Sequence, residues 1–421
     1  MTGSGTKVVV LGGGFAGLET AFYVRSRLGE RAAVTLVSDN DEFLFKPNTI
    51  YVPFGADPAS LRIPLARPAR KRDIRLVHGA FEELDTDARR LRAGGQELPY
   101  DFLVLATGAA MAPKEITGLA EHAETIWTPA EMQALGTRLK ALVERARAGE
   151  EQKVLFVVPP NNKCAGPLYE IVFMLDTWLR RQKVRERVSI VHTTFEKSFI
   201  QAFGPKLHDV VVEEFARRGI VGHTDLRIVQ AGLDEVVYEG GQREAYDLLI
   251  AFPPYVAAVR YPGLPADERG FLRTDAASRQ VEGHEAVFAP GDAGDFPVKQ
   301  AFLAFLQADA VAEDISARVL GAEPRFAFDP VSMCVMEQFD KATFAQVPLQ
   351  TTGNPDQPVI VRPDANGDYR VGVSPTWRLG KKLLGFYLPY RFKAGQPFHA
   401  GAPWKAMELG LKGMSAALAR R

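Results

Sequence analysis

A strand that runs into three spaced glycines and leaves as a helix admits few folds, and the chain opens on one: "KVVVLGGGFAGLETAFYVRSRLGERAAVTLVSDND". Val8 to Leu11 form an apolar run, followed by Gly12-x-Gly14-x-x-Gly17, an amphipathic stretch and a second apolar run, Val34 to Val37. Gly12 permits the tight turn and Gly14 lets backbone approach a pyrophosphate. Phe15 and Ala16 open the helix whose positive N-terminus faces that group, and Gly17 lets helix and strand pack closely. Such a unit builds a parallel sheet covered by helices, so the fold class expected is α/β and Rossmann-like. The acid that binds ribose hydroxyls at the close of the second strand is displaced by one position: Ser38 stands there with Asp39 after it, and either is a candidate.

A length of 421 residues leaves room for two to three domains. Lys+Arg and Asp+Glu both count 51, so no basic field points to nucleic acid. The first strand begins at about Lys7, so no signal peptide is expected, and no apolar run is long enough to span a bilayer. Two cysteines cannot make a disulfide framework. No metal is expected.

Two later segments, "YDFLVLATGA" ending in Thr107 and Gly108, and "EAVFAPGDAGDFPVKQAFLAFLQADAVAEDI" carrying Gly291-Asp292, resemble the two further FAD signatures of the two-dinucleotide-binding flavoproteins. In that superfamily the aspartate bonds the ribityl chain. Asp292 closes a buried strand, where a carboxylate is costly unless satisfied, and Lys299 brings a cation to the start of the next helix. Lys46 and Ala80 complete the expected FAD contacts.

A second Rossmann-like unit is expected between those signatures, and its phosphate turn falls at "VLFVVPPNNKCAGPLYEIVFMLDTWL". Pro159 and Pro160 donate no N–H, Lys163 and Cys164 carry side chains where close approach is needed, and only Gly166 remains. NAD(P)H is therefore disfavoured. A thiol stands at the helix start instead. There the helix N-terminus and Lys163 are expected to lower the pKa of Cys164 and make it a nucleophile.

"CAGPLYE" (Cys164 to Glu170), "FLFKPN" (Phe43 to Asn48) and "VSMCVMEQFDKATF" (Val331 to Phe344) resemble the sulfide:quinone oxidoreductases and their relative, the flavin subunit of flavocytochrome c sulfide dehydrogenase. The resemblance implies a redox pair, Cys164 and Cys334, that accepts sulfide as a persulfide, Cys164 carrying it and Cys334 facing the flavin. Two electrons then pass to FAD and on to ubiquinone or menaquinone. Many members carry a third cysteine, some binding FAD through it. Here Trp127 stands in that region, so noncovalent FAD is expected. Glu170 is either a proton relay or a buried acid paired with a base; His192 and His208 are expected to be structural.

The C-terminal stretch interleaves Lys381, Lys382, Arg391, Lys393, Lys405, Lys412, Arg420 and Arg421 with Phe386, Tyr387, Tyr390, Phe392 and Trp404. Such a mixture suits a surface lying peripherally on the cell membrane and receiving quinone, with a dimer or other homo-oligomer interface, or ordinary core packing, as the alternative. Removal of the chain after about Trp377 is expected to leave a soluble FAD protein that sulfide still reduces. The expected divisions are an FAD domain in two parts (1–110 and 271–325), a second Rossmann-like domain (111–270) bearing Cys164, and a C-terminal amphipathic cap (326–421) bearing Cys334. Turns around Asp356 and Gly367 predict a short β-hairpin in the cap. A single-subunit NADH:quinone dehydrogenase and a flavocytochrome-type subunit are the alternative functions.

Overall fold

The computed structural model describes residues 5–419. Two five-stranded parallel sheets carry the molecule. The first runs, in spatial order, Val287–Phe288, Phe102–Leu105, Thr6–Leu11, Ala32–Ser38, Arg75–His78. The second runs Ala123–Thr125, Leu248–Ala251, Gln152–Val158, Val188–Thr194, Val221–His223. Strands covered on both faces need no polar side, which is why Val8 to Leu11 and Val154 to Val158 are apolar throughout and buried.

In each sheet the order reverses beside one strand, Thr6–Leu11 in the first and Gln152–Val158 in the second. Ligands of open parallel sheets sit outside the strand ends at such reversals. The loop after the first strand is the glycine turn, and the loop after the second is Pro159 to Cys164. Strand Val287–Phe288 returns the chain to the first sheet, and the long helix Ala301–Leu320 that follows packs against helix Phe15–Leu28. An antiparallel pair, Ala109–Met111 with Tyr255–Ala257, bridges the two units.

The C-terminal part is an antiparallel sheet followed by two helices, Pro375–Lys393 and Ala402–Leu418. Strand Val331–Glu337 pairs with Ala342–Thr351, whose two ends are flanked by Val359–Val361 and Arg370–Ser374. The turn at Asp356 thus closes a hairpin on Ala342–Thr351. The residues around Gly367 bring the chain back to that same strand rather than pairing 359–361 with 370–374. No helix among the described residues is long and apolar enough to cross a membrane.

Candidate active site

A cavity of about 1130 Å³ joins the two switch points and the C-terminal sheet. It exceeds the roughly 300–1,000 Å³ of ordinary small-molecule sites, as a long ligand requires. At one end Gly12 has φ +120°, and a Cβ there would lie 2.2 Å from the carbonyl oxygen of Ala106. A Cβ on Gly17 would lie 1.9 Å from the Gly12 carbonyl oxygen, so this glycine serves the helix–strand packing and does not line the cavity. Gly14 has open space on its cavity side, and no side chain caps the helix that follows. Its first N–H groups are left for an anion.

Phe15, Ala16, Ser38, Asp39, Ala80, Thr107 and Gly108 continue the wall. The Ser38 hydroxyl is committed to its own turn, donating to the Asn40 carbonyl at 2.7 Å, while Asp39 is exposed at the rim. Farther in, Asp292 accepts no side-chain hydrogen bond among the described residues and stands between two lysines. Burial raises its carboxyl, against the pull of Lys299 and Lys46. Burial also pushes Lys299 down to about 7 and Lys46 down to about 8, each opposed first by Asp292. Lys46 holds its ammonium 3.1 Å from the centroid of the Trp127 ring. An uncapped helix start, a glycine open to the cavity and an unsatisfied carboxylate flanked by cations fit the pyrophosphate and hydroxylated chain of FAD.

At the other switch point the proline turn is braced from within. Asn161 adopts φ +63°, and the Asn162 amide donates to the Phe252 carbonyl at 2.8 Å while accepting from the Cys164 N–H at 3.0 Å. A side chain therefore takes the backbone donor that a phosphate would use. Cys164 and Cys334 both line the cavity as free thiols, and the Cys334 Sγ lies 4.0 Å from where a Cβ on Gly166 would sit.

The expected lowering of the Cys164 pKa is corrected: burial, then the nearby Cys334 and Asp292, push the thiol well above its ordinary range, and the N–H of Gly166 offsets little of this. Lys163 interacts instead with Asp267, Arg269 and Glu268. Cys334 is pushed up to about 12 by burial first and Glu170 second.

Glu170 is buried and paired. It accepts hydrogen bonds from Lys381 and from the Glu337 N–H, the latter at 2.7 Å; burial raises its carboxyl and Lys381 opposes the rise. The same Lys381 ammonium donates to the Val335 carbonyl at 2.8 Å, one residue from Cys334. Beside it the fully buried Glu337 accepts from Arg378 at 2.8 Å and from the Tyr51 hydroxyl at 2.7 Å. Lys381, Arg378, Glu337, Tyr51 and Asn162 are site residues that the sequence reading missed. Lys381 was in view, but as a surface cation. His192 is buried and pushed down to about 3 by burial, and His208 accepts the Phe199 N–H at 3.0 Å.

Helix Pro375–Lys393 sorts the expected membrane residues by face. Leu379, Leu383, Phe386 and Tyr390 form one exposed stripe, with Phe386 73% and Tyr390 61% exposed. Phe392 faces the other way, fully buried against Phe22, Phe43 and Phe305, and Tyr387 is half-buried against Phe398. Arg391 is also turned inward, donating to the carbonyls of Pro397 and Ala400. Phe392, Tyr387, Arg391 and Lys381 are thus removed from the expected surface, because one side of this helix closes over the FAD unit. Arg420 and Arg421 lie outside the described residues.

Residues 6–157 match the family described as Pyridine nucleotide-disulphide oxidoreductase. The sulfide-quinone reductase of Aquifex aeolicus is 28% identical over 268 residues, 62% of this chain and 60% of that one, so the match spans three-fifths of that relative's length. The mitochondrial sulfide:quinone oxidoreductase of Mus musculus is 24% identical over 308 residues, 70% of this chain and 67% of that one. The X-ray structure of the Aquifex aeolicus sulfide:quinone oxidoreductase superposes with a TM-score of 0.82 at 21% identity, covering 97% of this chain and 96% of that one, a likeness of fold. The chain is thus similar to the sulfide:quinone oxidoreductases in sequence and in fold, and is a flavoprotein that holds FAD.

Proposed function

We propose that the protein oxidises sulfide through Cys164 and Cys334 and delivers the electrons to a membrane quinone. The observation that carries this reading is that the chain's two cysteines, 170 residues apart (334 minus 164), line one cavity beside the FAD signatures. Hydrosulfide attacks one sulfur of the oxidised pair. The S–S bond breaks, a persulfide forms on Cys164 and the bonding electron pair leaves on Cys334. Bound FAD, noncovalently held, supplies a two-electron acceptor beside the pair. A second hydrosulfide attacks the outer sulfur of the Cys164 persulfide and leaves with it as polysulfide, the electron pair of the broken bond staying on Cys164; the two thiolates then re-form their bond as two electrons pass to the bound FAD.

Glu170 acts as the proton acceptor at Cys334, held in place by Lys381. Asp39 takes the ribose, and Asp292, Lys46 and Lys299 bind the remainder of the cofactor. The exposed stripe on helix Pro375–Lys393 lies on the membrane peripherally, where ubiquinone or menaquinone is received. The bracing of the second turn by Asn162 favours this reading over an NADH dehydrogenase, and the apolar stripe favours it over a soluble cytochrome partner.

Anaerobic titration of the FAD-loaded protein tests it. Sulfide should bleach the flavin and NADH should not, while Cys164→Ser or Cys334→Ser should each keep FAD and abolish the bleaching. Reduction by NADH, or full sulfide turnover in either variant, would overturn the assignment.

A further inference from the structure

Glu19, Asp309 and His399 come from three distant parts of the chain and offer one donor atom each within 4.8 Å of the others. Glu19 is on helix Phe15–Leu28 and Asp309 on helix Ala301–Leu320. His399 lies in the connection between the two C-terminal helices. Glu19 is 0% exposed and Asp309 5%. Among the described residues, neither carboxylate has an ion pair with a lysine or arginine.

The protein's own hydrogen bonds satisfy this cluster only in part. Glu19 accepts the N–H of Phe398 at 2.6 Å and of His399 at 3.1 Å, and His399 Nδ1 meets Asp309 Oδ2 at 2.6 Å. Asp309 Oδ1 and His399 Nε2 remain buried without a partner. The imidazole is boxed by Phe398 and Trp404, ring centroids 4.7 and 4.5 Å away, with Phe302 and Phe305 behind. Unpartnered polar atoms in so apolar a box are costly, and buried acids without a cation are more so.

We propose that Glu19, Asp309 and His399 form a binding site for one divalent transition-metal ion of the zinc class, which clamps the C-terminal segment onto the FAD unit. Two carboxylates and an imidazole make a mixed oxygen and nitrogen donor set, suited to a borderline ion; magnesium and calcium take oxygen alone. Ligand bonds of about 2.0–2.2 Å around a tetrahedral ion place donor atoms about 3.4 Å apart, so modest side-chain rotation from the present spacing completes the site. The ion gives Asp309 Oδ1 or His399 Nε2 the partner it lacks and neutralises both carboxylates. Because Glu19 already holds the backbone of 398–399, the same ion joins the helix after the glycine turn to the segment that leads into helix Ala402–Leu418.

The test uses the full-length FAD-loaded Cys164→Ser/Cys334→Ser protein, so that thiols contribute no ligand. After dialysis against a chelator it is titrated with zinc alone, in the presence of excess magnesium, and bound zinc is counted by elemental analysis after gel filtration. About one zinc per chain is expected. Asp309→Asn and His399→Ala should lose it while keeping FAD. Zinc should also slow proteolytic cleavage in the 394–401 connection of the parent protein and not of the variants. Failure of the parent protein to retain zinc, or undiminished zinc in His399→Ala, overturns the proposal. If the variants do not fold, the parent protein decides it alone: equal zinc-free and zinc-loaded cleavage rates count against the clamp.

Discussion

Lys381 donates to Glu170 across 211 positions of sequence, reaching from the C-terminal helix into the wall that carries both cysteines. The pair is nearly closed to water, with side chains 12% and 8% exposed. Removing one partner of a buried ion pair costs about 3–5 kcal/mol, whereas removing both can be close to neutral. Lys381→Met should therefore lower the unfolding midpoint of the FAD-loaded protein far more than Glu170→Gln/Lys381→Met does. Denaturant unfolding measures the difference, and equal midpoints for the two would show that the groups are not coupled.

The thiols make a pH prediction whose sign follows from burial. The folded-state pKa of Cys334, about 12, lies above the ordinary value of about 8.5. The folded protein keeps this proton where the unfolded chain releases it, so the stability contributed is complete below about pH 8.5 and is lost as pH rises from there toward 12. In the reduced protein, alkylation by iodoacetamide should be slow near pH 8 and rise about tenfold per unit up to about pH 10. A rate flat over that range would mean that a thiolate is already present.

The two faces of helix Pro375–Lys393 should separate two phenotypes. Leu383→Glu/Phe386→Glu, on the exposed stripe, should leave stability and sulfide bleaching nearly unchanged while abolishing sedimentation with anionic liposomes and slowing reoxidation by liposome-held quinone. Phe392→Ala should instead cost about 3–5 kcal/mol, as large buried rings do. Unchanged liposome binding in the first variant would remove the stripe as the docking surface.

Asn162→Ala removes the acceptor for the Cys164 N–H and the donor to the Phe252 carbonyl, both at a buried turn. A loss of about 1–3 kcal/mol is expected, with slower sulfide bleaching at unchanged FAD content. Asn162→Asp keeps the acceptor and should retain part of the rate. Full bleaching rates in both variants would reduce Asn162 to a loop residue.

Much of the first unit was legible because its signals are local. The strand, glycines and helix from Val8 to Leu28 specify their own geometry, and the departure of the second turn from a glycine loop was equally plain in Pro159 and Pro160. Partners set by tertiary packing were not legible. Glu337 is one more acid in a strand until Arg378 and Tyr51 arrive from other elements, and Asn162 is an ordinary turn residue until Phe252 lies beneath it. Composition put every ring of the C-terminal stretch outward, although positions 379, 383, 386 and 390 share a side that 388 and 392 do not. The Cys164 expectation erred by weighing the helix terminus without the burial that outweighs it.

Since one side of helix Pro375–Lys393 presents the apolar stripe and the other supplies Lys381 and Arg378 to two interior acids, deleting the helix is expected to cost the fold and not the stripe alone. Cutting after Trp377 would strip Glu170 and Glu337 of their counter-charges and unroof the aromatic nest around Phe43. The stripe is therefore to be altered residue by residue, leaving the helix in place as a plug.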